Sequence, residues 1–160
     1  MRYLVTLALL AFAATATAAP DYRTIRMGIE VNKPAAKVWA KVGHYCDISQ
    51  WLDVDCRIVA GDGGIGTVRS LANGRITEIL VGKTDLSYGY TQPAKPGVFY
   101  NLYHGYLEAR PQTRGTCRII YTLFYDVSDK TNEAAKQADL MQRRLRFEAA
   151  LKKMKQIAEQ

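Results

Sequence analysis

The sequence predicts an α+β domain in which one curved, seven-stranded antiparallel sheet wraps around a long C-terminal helix. Three observations carry that expectation. From Tyr22 to Val31 the apolar residues Ile25, Met27, Ile29 and Val31 recur at every second position, the period of a half-buried strand. From Cys56 to Val127 the chain continues in short strand-like runs separated by turn residues. From Asn132 to Ala158 it contains neither Gly nor Pro, and apolar residues return at helical spacing.

Each element follows in order. In the first strand Thr24, Arg26 and Glu30 occupy the opposite, polar face. Pro34 then opens a short helix in which Val38, Trp39 and Val42 share one side, and Gly43 ends it. A second short helix is expected over Asp47 to Leu52, with Asp47 as its N-cap. Six strands are expected next: Cys56 to Ala60, Thr67 to Leu71, Arg75 to Val81, Leu86 to Thr91, Phe99 to Ala109 and Thr116 to Val127. The links between them are Gly61 to Gly66, Asn73 with Gly74, Gly82 to Asp85, Pro93 to Gly97 and Pro111 to Gly115. These are hairpin signals, so the strands form a meander. The last helix carries Leu140, Leu145, Phe147, Leu151, Met154 and Ile157. A sheet this wide must bury one face, and only that helix is long enough to cover it. One helix does not fill a curved sheet, and a cavity is expected between them.

The start of the chain has the order of a secretory signal: Arg2, an apolar stretch from Leu4 to Ala14, then small residues from Thr15 to Ala19. The stretch is shorter than the roughly 20 residues that span a bilayer. Ala16 and Ala18 fit cleavage after Ala18. The expectation is a signal peptide over 1–18, one domain over 19–160, and a periplasmic or secreted product. Loss of Arg2 would lower the formal net charge from +7 to +6. Cations are dense from Lys130 onward, at Lys136, Arg143, Arg144, Arg146, Lys152, Lys153 and Lys155. Two readings stand: a surface for anionic lipid, or a solvated helix face balanced by Asp139, Glu148 and Glu159. Nucleic acid is not an expected partner of an exported protein, and the oligomeric state is left open. Of the three cysteines, Cys46 and Cys56 are close enough in sequence to pair in an oxidising compartment. Cys117 alternates with apolar residues and is expected as a buried thiol.

From Tyr22 to Gln160 the chain resembles the START and birch-pollen-allergen superfamily (SRPBCC), and within it the bacterial polyketide cyclase/dehydrase and lipid transport-like branch. The resemblance is carried by Pro34, Val38 and Trp39; by Cys46 to Trp51; by Arg69, Asn73, Gly74 and Glu78; and by Tyr88, Tyr90, Tyr103, Gly105 and Pro111. It implies the helix-grip fold and an internal apolar pocket. It implies no single chemistry, because carriers, receptors and enzymes share that fold.

Candidate ligand-binding residues are Trp51, Arg69, Glu78, Tyr88, Tyr90, Tyr103, Tyr121 and Phe147. Tyr88 and Tyr90 share one strand face, as do Tyr103, Gly105 and Leu107, and as do Ile119, Tyr121, Leu123 and Tyr125. If those faces point inward, phenols orient a ligand in an apolar chamber; otherwise they pack a core. Glu78 shares its face with Ile76 and Leu80, where a lone charge is costly, and counting back from Asn73 and Gly74 places Arg69 opposite it. Their pairing is either structural or part of ligand recognition. Trp51 is either a pocket-rim contact or a buried structural residue. Arg144 either reaches the pocket or lies along the helix edge.

Enzyme signals fail. Gly61, Gly63 and Gly66 spell a G-x-G-x-x-G that runs into a strand rather than a helix, which removes the dinucleotide context. His44 lies near Cys46 and Asp47 without a second ligand pair, and His104 faces away from Tyr103. No metal, cofactor or catalytic residue is expected. The leading expectation is an exported protein that binds or carries a hydrophobic small molecule or lipid. The alternatives are a cyclase or dehydratase using Glu78 or a tyrosine as general acid or base, and an envelope protein binding a partner or anionic membrane through its basic last helix.

Overall fold

The computed structural model describes residues 19–160; the expected signal peptide lies outside the described residues. The element order is β1 (Tyr22–Val31), α1 (Ala35–Val42), α2 (Ile48–Trp51), β2 (Cys56–Ala60), β3 (Val68–Leu71), β4 (Ile76–Thr84), β5 (Ser87–Thr91), β6 (His104–Pro111), β7 (Cys117–Asp126) and α3 (Glu133–Glu159). The seven strands form one sheet in the order β1-β7-β6-β5-β4-β3-β2. Each pair is antiparallel. This is the α+β architecture expected from the sequence, with α3 laid across the concave face.

The strand alternation decides which side is core. Ile25, Met27 and Val31 on β1 and Ile119, Tyr121, Leu123 and Tyr125 on β7 are buried, together with Leu107 and Ala109 of β6. Against them α3 buries Phe147, Ala150, Leu151, Met154 and Ala158. All five belong to its C-terminal half. The helix starts where Asn132 accepts a hydrogen bond from the Ala135 N–H at 2.9 Å, satisfying one of its free donors.

The β3–β4 turn fixes the register of the functional strands. Ala72, Asn73 and Gly74 have φ of 53°, 56° and 86°, a left-handed run for which glycine and asparagine are suited. The turn places Arg69 directly opposite Glu78. A second close fit occurs at Gly105, where a Cβ would fall inside the ring of Tyr90 on the neighbouring strand.

Three local expectations are corrected, and one open choice is decided. β6 begins at His104 rather than Phe99. Leu102 adopts a left-handed φ of 47°, which breaks the extended path, so Phe99 and Tyr100 stand exposed in the β5–β6 loop. Asp47 precedes α2 but makes no side-chain cap; its carboxylate accepts from the His44 N–H at 2.8 Å and Gln50 Nε2 at 3.2 Å. Leu145 does not join the core stripe and is 60 % exposed; two residues advance roughly 200° around the helix, which sets it almost opposite Phe147. Arg144 lies outside, donating to the Arg26 carbonyl at 3.5 Å and facing Glu148 at 3.6 Å.

Cys46 and Cys56 form a disulfide with a Cα–Cα distance of 5.5 Å, tying the segment before α2 to the start of β2. Cys117 is free and buried. Closing so short a loop restricts the unfolded chain, and the Cys46→Ser/Cys56→Ser variant is expected to lose about 3 kcal/mol of stability. Urea unfolding of the two proteins checks this; equal midpoints would show that the bridge contributes nothing.

Candidate functional site

The concave face holds a charged layer that divides its interior. Arg69 Nε donates to Glu78 Oε2 at 2.8 Å, and Nη2 lies 2.6 Å from the same oxygen. The side chains are 0 % and 4 % exposed. A buried carboxylate and guanidinium tolerate such a place only when paired and hydrogen-bonded. Here Gln92 Nε2 donates to the other Glu78 oxygen at 3.1 Å, and Arg69 Nη1 donates to the Tyr45 carbonyl. The guanidinium also lies over the rings of Tyr45 and Tyr90, 4.1 and 5.0 Å from their centroids, a favourable cation–π arrangement.

Tyrosines surround this pair. The Tyr90 and Tyr121 hydroxyls are 2.8 Å apart, and Tyr121 packs on Phe147 with ring centroids 4.6 Å apart. Tyr88 contacts the rings of Trp39, Tyr45 and Tyr90. Burial raises the pKa of Tyr88, Tyr90 and Tyr121 above the usual phenol value. It pushes Tyr103 up to about 12, against the opposing pull of Arg143. These phenols are therefore neutral donors and acceptors at ordinary pH.

On one side of the layer a cleft of about 330 Å³ opens between the sheet and α3. Ile48, Leu52, Val54, Leu71, Ile76 and Phe147 supply its apolar wall. Glu78, Tyr90 and Tyr103 form its inner surface, and Gln92, Asn101, Asp139, Gln142, Arg143 and Arg146 its polar part. On the other side a second cavity of about 350 Å³ is bounded by Trp39, Tyr45, Leu80 and Tyr88, with His44, Lys83 and Asp85 around it. Glu78 and Leu80 are successive inward positions of β4, as Tyr90 and Tyr88 are of β5. The two spaces are thus one inward step apart along the strands, about 7 Å.

The sequence-derived residues divide accordingly. Glu78, Tyr90, Tyr103 and Phe147 line the first cleft, while Tyr88 lines the second cavity. Arg69 stands behind Glu78. Trp51 and Tyr121 lie on neither wall: Trp51 Nε1 donates to the Val42 carbonyl at 3.3 Å, and its ring meets Tyr121 edge-on at 6.1 Å. Both support the wall from below.

Sequence reasoning named Phe147 on α3 but missed the four polar residues beside it. Asp139, Gln142, Arg143, Arg146 and Phe147 have the spacing i, i+3, i+4, i+7 and i+8, one helical face, and all five line the cleft. Asp139 Oδ2 accepts from the Tyr125 hydroxyl at 2.7 Å and from Arg143 Nε at 2.9 Å. Burial opposes that charge, but the bonds from Arg143 and Tyr125 hold the Asp139 carboxyl below the usual carboxylate range. Arg143 also stacks over Tyr125 and Tyr103, at 4.5 and 5.4 Å. His104 lies beside Phe124 on the outer face of the sheet, as strand parity predicted. Among the described residues no cluster of His, Cys, Asp and Glu suits a metal ion, and no helix is long and apolar enough to cross a membrane.

Solved structures share this architecture. The Zhui aromatase/cyclase from a Streptomyces species superimposes with a TM-score of 0.67 at 16 % identity, over 87 % of this chain and 94 % of that one. The protein XoxI from Bacillus cereus gives 0.66 at 19 % identity, over 83 % and 93 %. The protein Ara h 8.0201 gives 0.62 at 17 % identity, over 86 % and 98 %. At these identities the likeness concerns the fold. A comparison with curated protein sequences found no significant match. The family model described as polyketide cyclase/dehydrase and lipid transport matches residues 22–159, nearly the whole described chain, and this protein belongs to that family.

Proposed function

We propose that this protein is an exported binding or carrier protein that holds a hydrophobic small molecule or lipid in the cleft between α3 and the sheet. The observation that carries the reading is the cleft itself. Its volume of about 330 Å³ falls within the range of roughly 300–1,000 Å³ typical of small-molecule sites, and its wall combines an apolar surface with a few placed polar groups. Burial of the ligand would drive binding at about 25 cal/mol per Å² before the costs of association. The family is one of apolar-ligand folds. Export is supported by the order of residues 1–18 and by the Cys46–Cys56 disulfide, a bond that persists in oxidising compartments.

Two observations weigh on the alternatives. Both Glu78 oxygens are occupied, one by Arg69 and the other by Gln92, an arrangement that fixes the side chain in the wall rather than presenting it to a substrate. The cations of α3 are in good part internally matched: Lys136 with Asp21, Arg143 with Asp139, Arg144 with Glu148 and Lys155 with Glu159. That favours a solvated face over a dedicated lipid surface.

Native mass spectrometry of the detergent-free protein is expected to show uptake of an apolar probe such as decanol. Ile76→Trp fills the cleft and is expected to weaken uptake more than about tenfold, the effect of losing roughly 1.4 kcal/mol. Unchanged uptake by this variant would place the ligand elsewhere.

A further inference from the structure

We infer that the ligand is an amphipathic carboxylate, with its apolar body in the cleft and its anionic head at Arg146. This inference rests on the reading of the cleft as an apolar ligand site and adds the chemical class of the ligand.

The argument starts from which charges on the wall are already matched. Glu78 is bound by Arg69 and Gln92. Asp139 is bound by Arg143 and the Tyr125 hydroxyl. Both acidic groups of the cleft therefore have their cation. Arg143 is held by Asp139 and by the two aromatic rings beneath it. Arg146 differs. It lies one helical turn from Arg143 and is exposed, and among the described residues it has no ion-pair partner. Its other side faces a separate groove that also contains Asp53, Asp55 and Arg75. Neither aspartate forms an ion pair with Arg146, and Asp55 accepts the Asn73 N–H at 2.8 Å.

The mouth of the cleft thus presents one uncompensated guanidinium next to an apolar wall. The neighbouring Gln142 side chain makes no hydrogen bond among the described residues, which leaves its amide as a further donor beside Arg146. A guanidinium offers paired N–H donors that match a carboxylate, and the bond is charge-assisted. A neutral ligand would leave these donors to water. An apolar cation would meet Arg146 unfavourably.

Calorimetric titration with decanoate and with decanol separates the possible results. The expected outcome is saturable binding of both, with decanoate roughly tenfold tighter, the effect of one charge-assisted hydrogen bond at a solvent-facing site. In Arg146→Gln the two affinities are expected to converge, decanoate losing roughly tenfold and decanol much less; an unchanged urea midpoint shows that the variant is folded. Equal affinities in the parent protein, or a decanoate preference that survives Arg146→Gln, would overturn the inference while leaving the apolar site intact. Failure of both probes to bind would overturn the apolar site and the inference with it.

Discussion

Glu78→Ala is expected to lower the stability of the protein by about 3 to 5 kcal/mol, because it leaves the Arg69 guanidinium buried without its counter-charge. Arg69 is 0 % exposed and stands behind Glu78, so the guanidinium loses its only anionic partner, and water entering from the cleft offsets only part of that loss. The cation–π contacts with Tyr45 and Tyr90 offset part of the loss, but they supply no acceptor. The Arg69→Met/Glu78→Leu variant removes both charges and is expected to recover most of the stability, since apolar residues of similar size often match a buried ion pair. Urea unfolding of the three proteins distinguishes the outcomes. A loss below about 1 kcal/mol in Glu78→Ala, the range of exposed pairs, would mean that solvent reaches the layer.

The second large effect is alkaline unfolding. Burial raises the pKa of Tyr88, Tyr90 and Tyr121, and that of Tyr103 to about 12. In the unfolded chain these phenols titrate near the ordinary value of about 10. Above that pH the unfolded state binds fewer protons than the folded state, so stability falls as pH rises. The contribution is fully present below pH 10 and is lost progressively as pH approaches and passes about 12. Each tyrosine adds a slope of up to about 1.4 kcal/mol per pH unit in that window. Urea midpoints measured from pH 9 to pH 12 are expected to drop steeply after pH 10, and less steeply in Tyr121→Phe. A flat profile across the window would show that the phenols titrate as freely in the folded protein as outside it.

Much of this interior is legible in the sequence because strands write their burial as simple alternation. The parity of Tyr88 and Tyr90, and of Ile119 through Tyr125, identified the concave face. The Asn73–Gly74 turn fixed the count that sets Arg69 against Glu78. The same rule misled at Phe99 to Tyr103, where the residue types suit a strand but the left-handed Leu102 turns the chain out of the sheet. The polar part of the cleft face of α3, before Phe147, escaped for a different reason. Hydrophobic periodicity reports a helix where it packs on the core, and α3 is fully buried only from Phe147 onward, with Leu140 alone packed part-buried before it. Its N-terminal half borders a cavity, and the residues facing that space are Asp139, Gln142, Arg143 and Arg146. A cavity-lining face with polar residues at i, i+3, i+4 and i+7 looks like a solvated face until the sheet opposite is known.

That distinction also separates the layer from the cleft in function. Arg69 with Glu78, and Tyr90 with Tyr121, form an inner wall whose polar groups are engaged with one another, while the Tyr45 and Tyr88 hydroxyls are buried without a partner. In the proposed function, ligand selection falls to the α3 side, where polar groups remain available, and to the apolar wall of Ile48, Leu52, Val54, Leu71 and Ile76.

The most direct test of this account is side-chain NMR mapping of a decanol titration. The expected result is saturable shifts at Ile48, Leu52, Leu71, Ile76 and Phe147, with little change at Trp39, Tyr45 and Leu80 beyond the charged layer. Shifts confined to that second group, or no saturable change at any of these residues, would contradict the assignment of the cleft beneath α3 as the ligand site.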